Sequence, residues 1–176
     1  MPAIAIPDPA LVVLVGAAGA GKTTFATRHF RPGEVLSSDA FRARLSGDEA
    51  DQRRTRTAFA ILHREVAARL AARRLVVVDA TNVEPYARRA LVARARAAGV
   101  PAIAIVLALP AGLVHARNAG RVGRVVDPLV VDRHLDHLRK ALAEGDVATD
   151  GFDAIHVLDS EIDVEAVVLD RRRVEG

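Results

Sequence analysis

The residues Leu11 to Thr24 read LVVLVGAAGAGKTT, and no other stretch constrains the chain as tightly. Leu11 to Val15 is an apolar run with the length of a buried strand. It stops at Gly16, and Gly16, Gly19, Gly21, Lys22 and Thr23 then follow the spacing GxxxxGK plus a hydroxyl residue. A strand, a glycine-rich loop and a helix start in that order turn backbone amides toward the positive end of a helix dipole, which makes an anion site. The motif predicts that Gly16, Gly19, Ala20, Gly21, Lys22, Thr23 and Thr24 cradle the phosphates of ATP or another NTP. Lys22 would reach the β- and γ-phosphates, and the Thr23 hydroxyl would hold Mg²⁺. The alternative is a glycine-rich turn with a chance lysine. The strand signal before it and the helical pattern after it weigh against that.

The rest of the chain alternates in the same way. After Leu11–Val15, a helix is expected from Lys22 to Phe30, stopped by Pro32 and Gly33, then a short strand Val35–Ser37 and a helical turn or two from Asp39 to Leu45. Gly47 to Asp51 reads as a polar break. From Gln52 to Arg73, Phe59, Leu62, Val66 and Leu70 recur at helical steps. Leu75–Asp79 is almost wholly β-branched and reads as a strand. A basic amphipathic helix follows over Glu84–Ala98, stopped by Gly99. Ala102–Leu109 is the fourth strand and Ala111–Ala119 a short helix. Asp127-Pro128 is a cap followed by a first-turn proline, opening a helix to Glu144. Ile155–Leu158 is the fifth strand, Val164–Leu169 a last helix, and Arg171 to Arg173 a solvated tail. Continuous apolar strands separated by helices argue for an α/β, three-layer fold with a mostly parallel five-stranded sheet, and the loop makes it P-loop NTPase-type. With 176 residues and no linker-like stretch, residues 1–176 are expected to form one domain.

Composition removes whole classes of function. The chain has no cysteine, so disulfides, thiolate metal sites and thiol nucleophiles are excluded. Aromatic residues make up 3%, too few for base stacking to dominate nucleic-acid binding. The net charge is only +3, so any basic footprint must be local. Met1 to Pro9 lacks a basic start and is broken by prolines, so it does not read as a signal peptide, and no element is assigned before Leu11. Ala97 to Val114 has no charge and approaches membrane-spanning length, but glycines and prolines break it and a buried strand is the better reading. No membrane partner is expected, and the location expected is cytoplasmic. Self-association into a homo-oligomer is compatible with this composition. The six histidines show no ligand pattern, although His134 and His137 share a helix face.

Ligands of parallel sheets sit beyond the carboxyl ends of the strands. Past the second strand, Asp39 and Arg42 lie three apart at a helix start and project to one side. They read either as a base and a cation for a phosphoryl acceptor, or as a helix cap at Ser38 or Asp39 with a surface arginine. Past the third strand, Asp79 fits a residue that holds Mg²⁺ through water, while Thr81 or Asn82 would cap the next helix. Past the fourth strand, Arg117, Arg121 and Arg124 would share one helix face, with Gly120 and Gly123 weakening that helix. They have no acidic partner at i±4. This arrangement reads as a lid over phosphates, at about 117–126, or else as a solvated face.

Taken together, the loop Gly16–Thr24, Ser38-Asp39-x-x-Arg42, Asp79-Ala80-Thr81-Asn82 and Arg117-x3-Arg121-x2-Arg124 resemble the polynucleotide 5′-hydroxyl kinases, and most of all the kinase module of bacterial end-healing and end-sealing RNA repair enzymes (polynucleotide kinase-phosphatases). The likeness runs from Leu11 to Leu169 and includes Gly151-Phe152. It implies that Lys22 and Thr23 bind phosphate and metal, that Asp39 is the general base for the 5′-OH, and that Arg42 engages the acceptor near the phosphate following the terminal nucleoside. It implies that Arg117 and Arg124 contact the donor phosphates, places Arg121 in the lid without an assigned contact, and puts Gln52 on the acceptor side. In multifunctional relatives, phosphatase and ligase modules follow; here the sequence stops at Gly176, and a stand-alone kinase or an excised module is expected.

The implied reaction is transfer of the NTP γ-phosphate to the 5′-OH end of RNA or DNA, with a role in nucleic-acid repair. A P-loop kinase for a small-molecule hydroxyl (sugar, antibiotic or nucleoside) shares the loop, the Asp after strand two and the arginine lid. A nucleotide-dependent binding switch is a third class, which a base candidate facing the phosphate site argues against.

Overall fold

The structure, a computed structural model, describes residues 3–45 and 55–174 in full and the helical backbone of residues 52–54. The strands are β1 (Ala3–Asp8), β2 (Leu11–Val15), β3 (Val35–Ser37), β4 (Val76–Asp79), β5 (Ala102–Leu107), β6 (Ala154–Leu158) and β7 (Val168–Arg173). The helices are α1 (Lys22–His29), α2 (Ser38–Arg44), α3 (Gln52–Ala71), α4 (Pro85–Ala97), α5 (Ala111–Ala119), α6 (Pro128–Ala143), α7 (Asp146–Thr149) and α8 (Glu161–Ala166).

Strand β2 is apolar and buried along its whole length because it is central and covered on both faces. The main sheet has the order β3-β4-β2-β5-β6, and every pairing in it is parallel. Period-two alternation divides β2 between two cores. Leu11, Val13 and Val15 pack with Leu62, Val66 and Leu70 of α3 and with Leu91, Val92 and Ala95 of α4. Val12 and Leu14 face the other way, onto Phe25 and Ala26 of α1, Val114 of α5 and Val164 of α8. Each such side chain contributes about 1.5–3 kcal/mol when fully buried. This is the three-layer α/β fold expected.

Register brings the site together. Leu14 aligns with Asp79 on one side of β4, and Ser37 aligns with Asp79 on the other. The loop entrance, Asp79 and the start of α2 therefore share one carboxyl edge.

Both ends of the chain depart from expectation. Ala3–Asp8 is a strand, and the helix expected over Val164–Leu169 is Glu161–Ala166, followed by strand β7. Strands β1 and β7 pair in parallel as a separate two-stranded sheet, so Arg171–Arg173 belongs to a strand rather than a tail; Arg172 and Arg173 are solvated as expected, while Arg171 is half-buried and bonds Glu34 at 2.5 Å. The signal in β1 is a short alternation, with Ile4 and Ile6 buried and Ala3 and Ala5 exposed. Its prolines hide it, although Pro is tolerated on edge strands. The chargeless stretch holds β5, buried throughout and two residues shorter than expected, and no helix among the described residues is long and apolar enough to cross a membrane. The polar break Gly47–Asp51 and the side chain of Gln52 lie outside the described residues.

Candidate active site

The loop after β2 is shaped by two glycines with left-handed backbone, Gly19 (φ 89°) and Gly21 (φ 91°). A Cβ on Gly19 would stand 2.6 Å from the Val114 carbonyl oxygen, so no side chain fits there. Lys22 folds back over the loop, and its Nζ donates to the carbonyls of Gly16 and Ala17, both at 2.9 Å. Burial pushes Lys22 down to about 8, against the pull of the Asp79 and Asp39 carboxylates and with help from Arg121. Thr23 Oγ1 donates to Asp79 Oδ2 at 2.7 Å.

Thr23 and Asp79 offer a hydroxyl and a carboxylate beside the phosphate loop. No group of three His, Cys, Asp or Glu ligands lies together among the described residues. An oxygen-only pair of this kind fits a hard cation such as Mg²⁺, which takes its remaining ligands from phosphate and water.

One cavity of about 840 Å³ collects the candidate residues: Gly19, Gly21, Lys22, Thr23, Thr24, Asp39, Arg42, Asp79, Arg117, Arg121 and Arg124 all line it. Gly16 and Ala20 are held beneath it by loop bonds, Gly16 N–H to the Thr81 carbonyl at 2.9 Å and Ala20 N–H to the Ala17 carbonyl at 3.1 Å.

The cap reading at the start of α2 is excluded. Ser37 occupies the cap position and accepts the Ala40 N–H, so neither Ser38 nor Asp39 serves as cap. Asp39 stands in the first turn with its carboxylate exposed to the cavity and paired with Arg42. The Nε of Arg42 is buried without a hydrogen-bond partner among the described residues. Phe41, one residue along, is buried in the core and anchors the helix.

The lid arginines converge on the cavity without sharing a helix face. Helix α5 ends at Ala119, and Arg121 and Arg124 lie in the irregular segment beyond it, where Gly123 has φ 100°. Asn118 closes that segment, donating to the Val126 carbonyl at 2.7 Å and accepting the Val126 N–H at 3.1 Å. Arg117, expected to lack an acidic partner, pairs with Glu161 at the start of α8. Glu161 is 44 residues away, far beyond any helical spacing. The Arg117 guanidinium also reaches the loop, with Nη1 3.5 Å from the Ala20 carbonyl.

Two further readings change. Neither Thr81 nor Asn82 caps the next helix, because α4 begins at Pro85 with Glu84 at the cap position. His134 and His137 also part company: His137 bonds Glu84, whereas His134 lines the cavity and its Nδ1 accepts the Ala18 N–H at 3.4 Å. Burial, then the charges of Lys22, Arg133 and His137, lower the pKa of His134 against the opposing Glu84. Val130, four residues earlier on the same helix, lines the same cavity.

The architecture is shared with known proteins. A family model described as AAA domain matches residues 11–144. A sequence search among curated proteins finds no match. Among solved structures, a chain of the Pnkp1/Rnl/Hen1 RNA repair complex superposes with a TM-score of 0.68 at 23% identity, over 79% of this chain and 47% of that one. A second structure of the Pnkp1/Rnl/Hen1 complex gives 0.56 at 27% identity, over 67% of this chain and 41% of the other. The chain thus spans less than half the length of either. A gluconokinase from Sinorhizobium meliloti gives 0.54 at 18% identity, over 88% and 84%. With the match running from β2 to just past α6, the chain belongs to the AAA domain family, with a phosphate-binding loop of the P-loop type.

Proposed function

We propose that the protein is a P-loop phosphotransferase that moves the γ-phosphate of an NTP to the 5′-hydroxyl of an RNA or DNA end. The observation that carries this is the sharing of one cavity. Asp39 and Arg42 face the same space as Lys22, the Thr23–Asp79 pair and Arg117, Arg121 and Arg124. A binding switch has no need of a carboxylate and a cation opposite its phosphate loop; a transferase has.

In the reaction, the acceptor oxygen attacks the γ-phosphorus in line with the bond to the β-phosphate oxygen. The new P–O bond forms as that bond breaks, the nucleoside diphosphate leaves, and Asp39 takes the hydroxyl proton. Loop amides and Lys22 hold the donor phosphates, and the lid arginines offset charge on the transferred group. Thr23 directly, and Asp79 through water, would hold Mg²⁺, which screens phosphate charge when bound. Arg42 would hold the phosphate next to the acceptor nucleoside.

The polynucleotide acceptor is supported by the four-element resemblance and by the fold shared with a chain of an RNA repair complex. A second reading, a small-molecule hydroxyl as acceptor, is supported by the gluconokinase fold, which matches most of both chains. Incubation with γ-labelled ATP and either a 5′-OH oligonucleotide or a mixture of nucleosides and sugars separates them. Label in the oligonucleotide is expected; label only in the small molecules would overturn the polynucleotide assignment.

A further inference from the structure

The turn after β4 carries buried polar contacts that no step of phosphoryl transfer uses directly. Asn82 is buried with a left-handed backbone, φ 50°. Its Nδ2 donates to the Leu14 carbonyl at 2.8 Å and to the Ala80 carbonyl at 3.3 Å. Two carbonyl partners fix the orientation of the amide, since only its nitrogen can donate. Next to it, the Thr81 carbonyl accepts the Gly16 N–H at 2.9 Å. Residues 80–82 therefore tie the end of β2 and the first residue of the phosphate loop to the end of β4.

Arg88, fully buried on α4, secures this turn from behind. Its Nη1 donates to the carbonyls of Asn82 at 3.1 Å and Val83 at 2.7 Å, and its Nε bonds Asp150 at 2.5 Å. The turn is thus braced on one side by two strand ends and on the other by a buried ion pair.

The two oxygen donors of the candidate cation site hang from the segments joined this way. Thr23 follows the loop that leaves β2, and Asp79 ends β4. We infer that Asn82 is a positioning residue for the Mg²⁺ site, setting the separation of Thr23 and Asp79. The inference rests on the metal role given to that pair above. Outer partners that orient metal ligands change metal affinity about 10–100-fold when removed. Asn suits the position on two counts, because it tolerates a left-handed backbone and supplies the donor that Gly lacks.

The test is ATP binding by calorimetry, titrated with MgCl₂ and repeated in EDTA. N82G keeps the backbone conformation and removes the amide. It is expected to raise the Mg²⁺ concentration at half-effect about tenfold or more, with ATP affinity in EDTA within about twofold of wild type. Loosening the pair should also narrow the preference for Mg²⁺ over the larger, more tolerant Ca²⁺, a readout that a purely structural loss would leave alone. N82D keeps the shape but sets an acceptor against two carbonyls, and it should show the same shifts, so the result does not hang on one variant. Unchanged Mg²⁺ dependence in both variants, or an equal loss of ATP affinity in EDTA, overturns the assignment. A wild-type protein whose ATP binding ignores Mg²⁺ overturns the metal role of Thr23 and Asp79 itself, and the inference with it.

Discussion

Thr23 Oγ1 donates to Asp79 Oδ2 across 2.7 Å, joining the first turn of α1 to the end of β4. The contact presents two oxygens side by side at the edge of the phosphate loop. Asp79→Asn keeps the size and an acceptor for Thr23 but removes the charge that a cation needs. Metal polarisation supplies several kcal/mol to reactions of this class, so transfer should fall by at least about a hundredfold. Raising MgCl₂ should recover part of it. Steady-state rates across a MgCl₂ series check this.

Asp39→Ala should lower kcat for transfer to a 5′-OH oligonucleotide by about 10²–10⁴, the range of a general base. ATP affinity should stay within about twofold, since Asp39 bonds Arg42 and acts on Lys22 only as a charge at a distance. Its side chain is 60% exposed, so the melting temperature should hardly move. Arg42→Ala should instead raise KM for the oligonucleotide, and an effect confined to ATP would remove Arg42 from the acceptor side.

With Lys22 on the donor phosphates as proposed, nucleotide binding should depend on pH. Burial leaves its pKa at about 8 in the free protein. A bound triphosphate favours the ammonium form, so the pKa rises in the complex and binding takes up protons above that value. ATP affinity should therefore fall as pH rises through about 8. The sign for folding is the opposite: between about 8 and 10.5 the unfolded chain holds more protons, and this group's contribution to stability grows with pH. Calorimetry near pH 8.5, in two buffers of different ionisation enthalpy, should detect the uptake, and Lys22→Met should abolish it.

Asp150 is fully buried and accepts from Arg88 at 2.5 Å and from Arg89 at 2.9 Å. Asp150→Ala leaves the Arg88 guanidinium buried and unpaired, at a cost of about 3–5 kcal/mol. Arg89 is more than half exposed, so Arg89→Ala should cost no more than about 1 kcal/mol. Urea unfolding of both variants checks the difference.

The features legible in the sequence were those set by local pattern. The apolar run Leu11–Val15 is buried on both faces, the glycine spacing of the loop demands its backbone, and Asp127 caps α6 by accepting the Leu129 N–H. What escaped depends on residues far apart in sequence. Arg117 finds its partner 44 residues away, Asn82 spends its amide on a strand end 68 residues back, and His134 meets the loop only after α6 has packed. The Asn82 case shows why a cap was expected: Asn before a helix has two uses, and only the approach of β2 decides between them.

The pairing of β1 with β7 has a consequence for folding. Ala3 lies beside Val168 and Asp8 beside Arg173, so this small sheet closes only when two segments far apart in sequence have met. The five-stranded sheet and its helices can assemble while the apolar edge of Ile4 and Ile6 still lacks its neighbour. Contacts of such separation form late and leave an unpaired strand exposed meanwhile. Until that pairing forms, the open edge of β1 is where the folding chain is exposed to association with another strand.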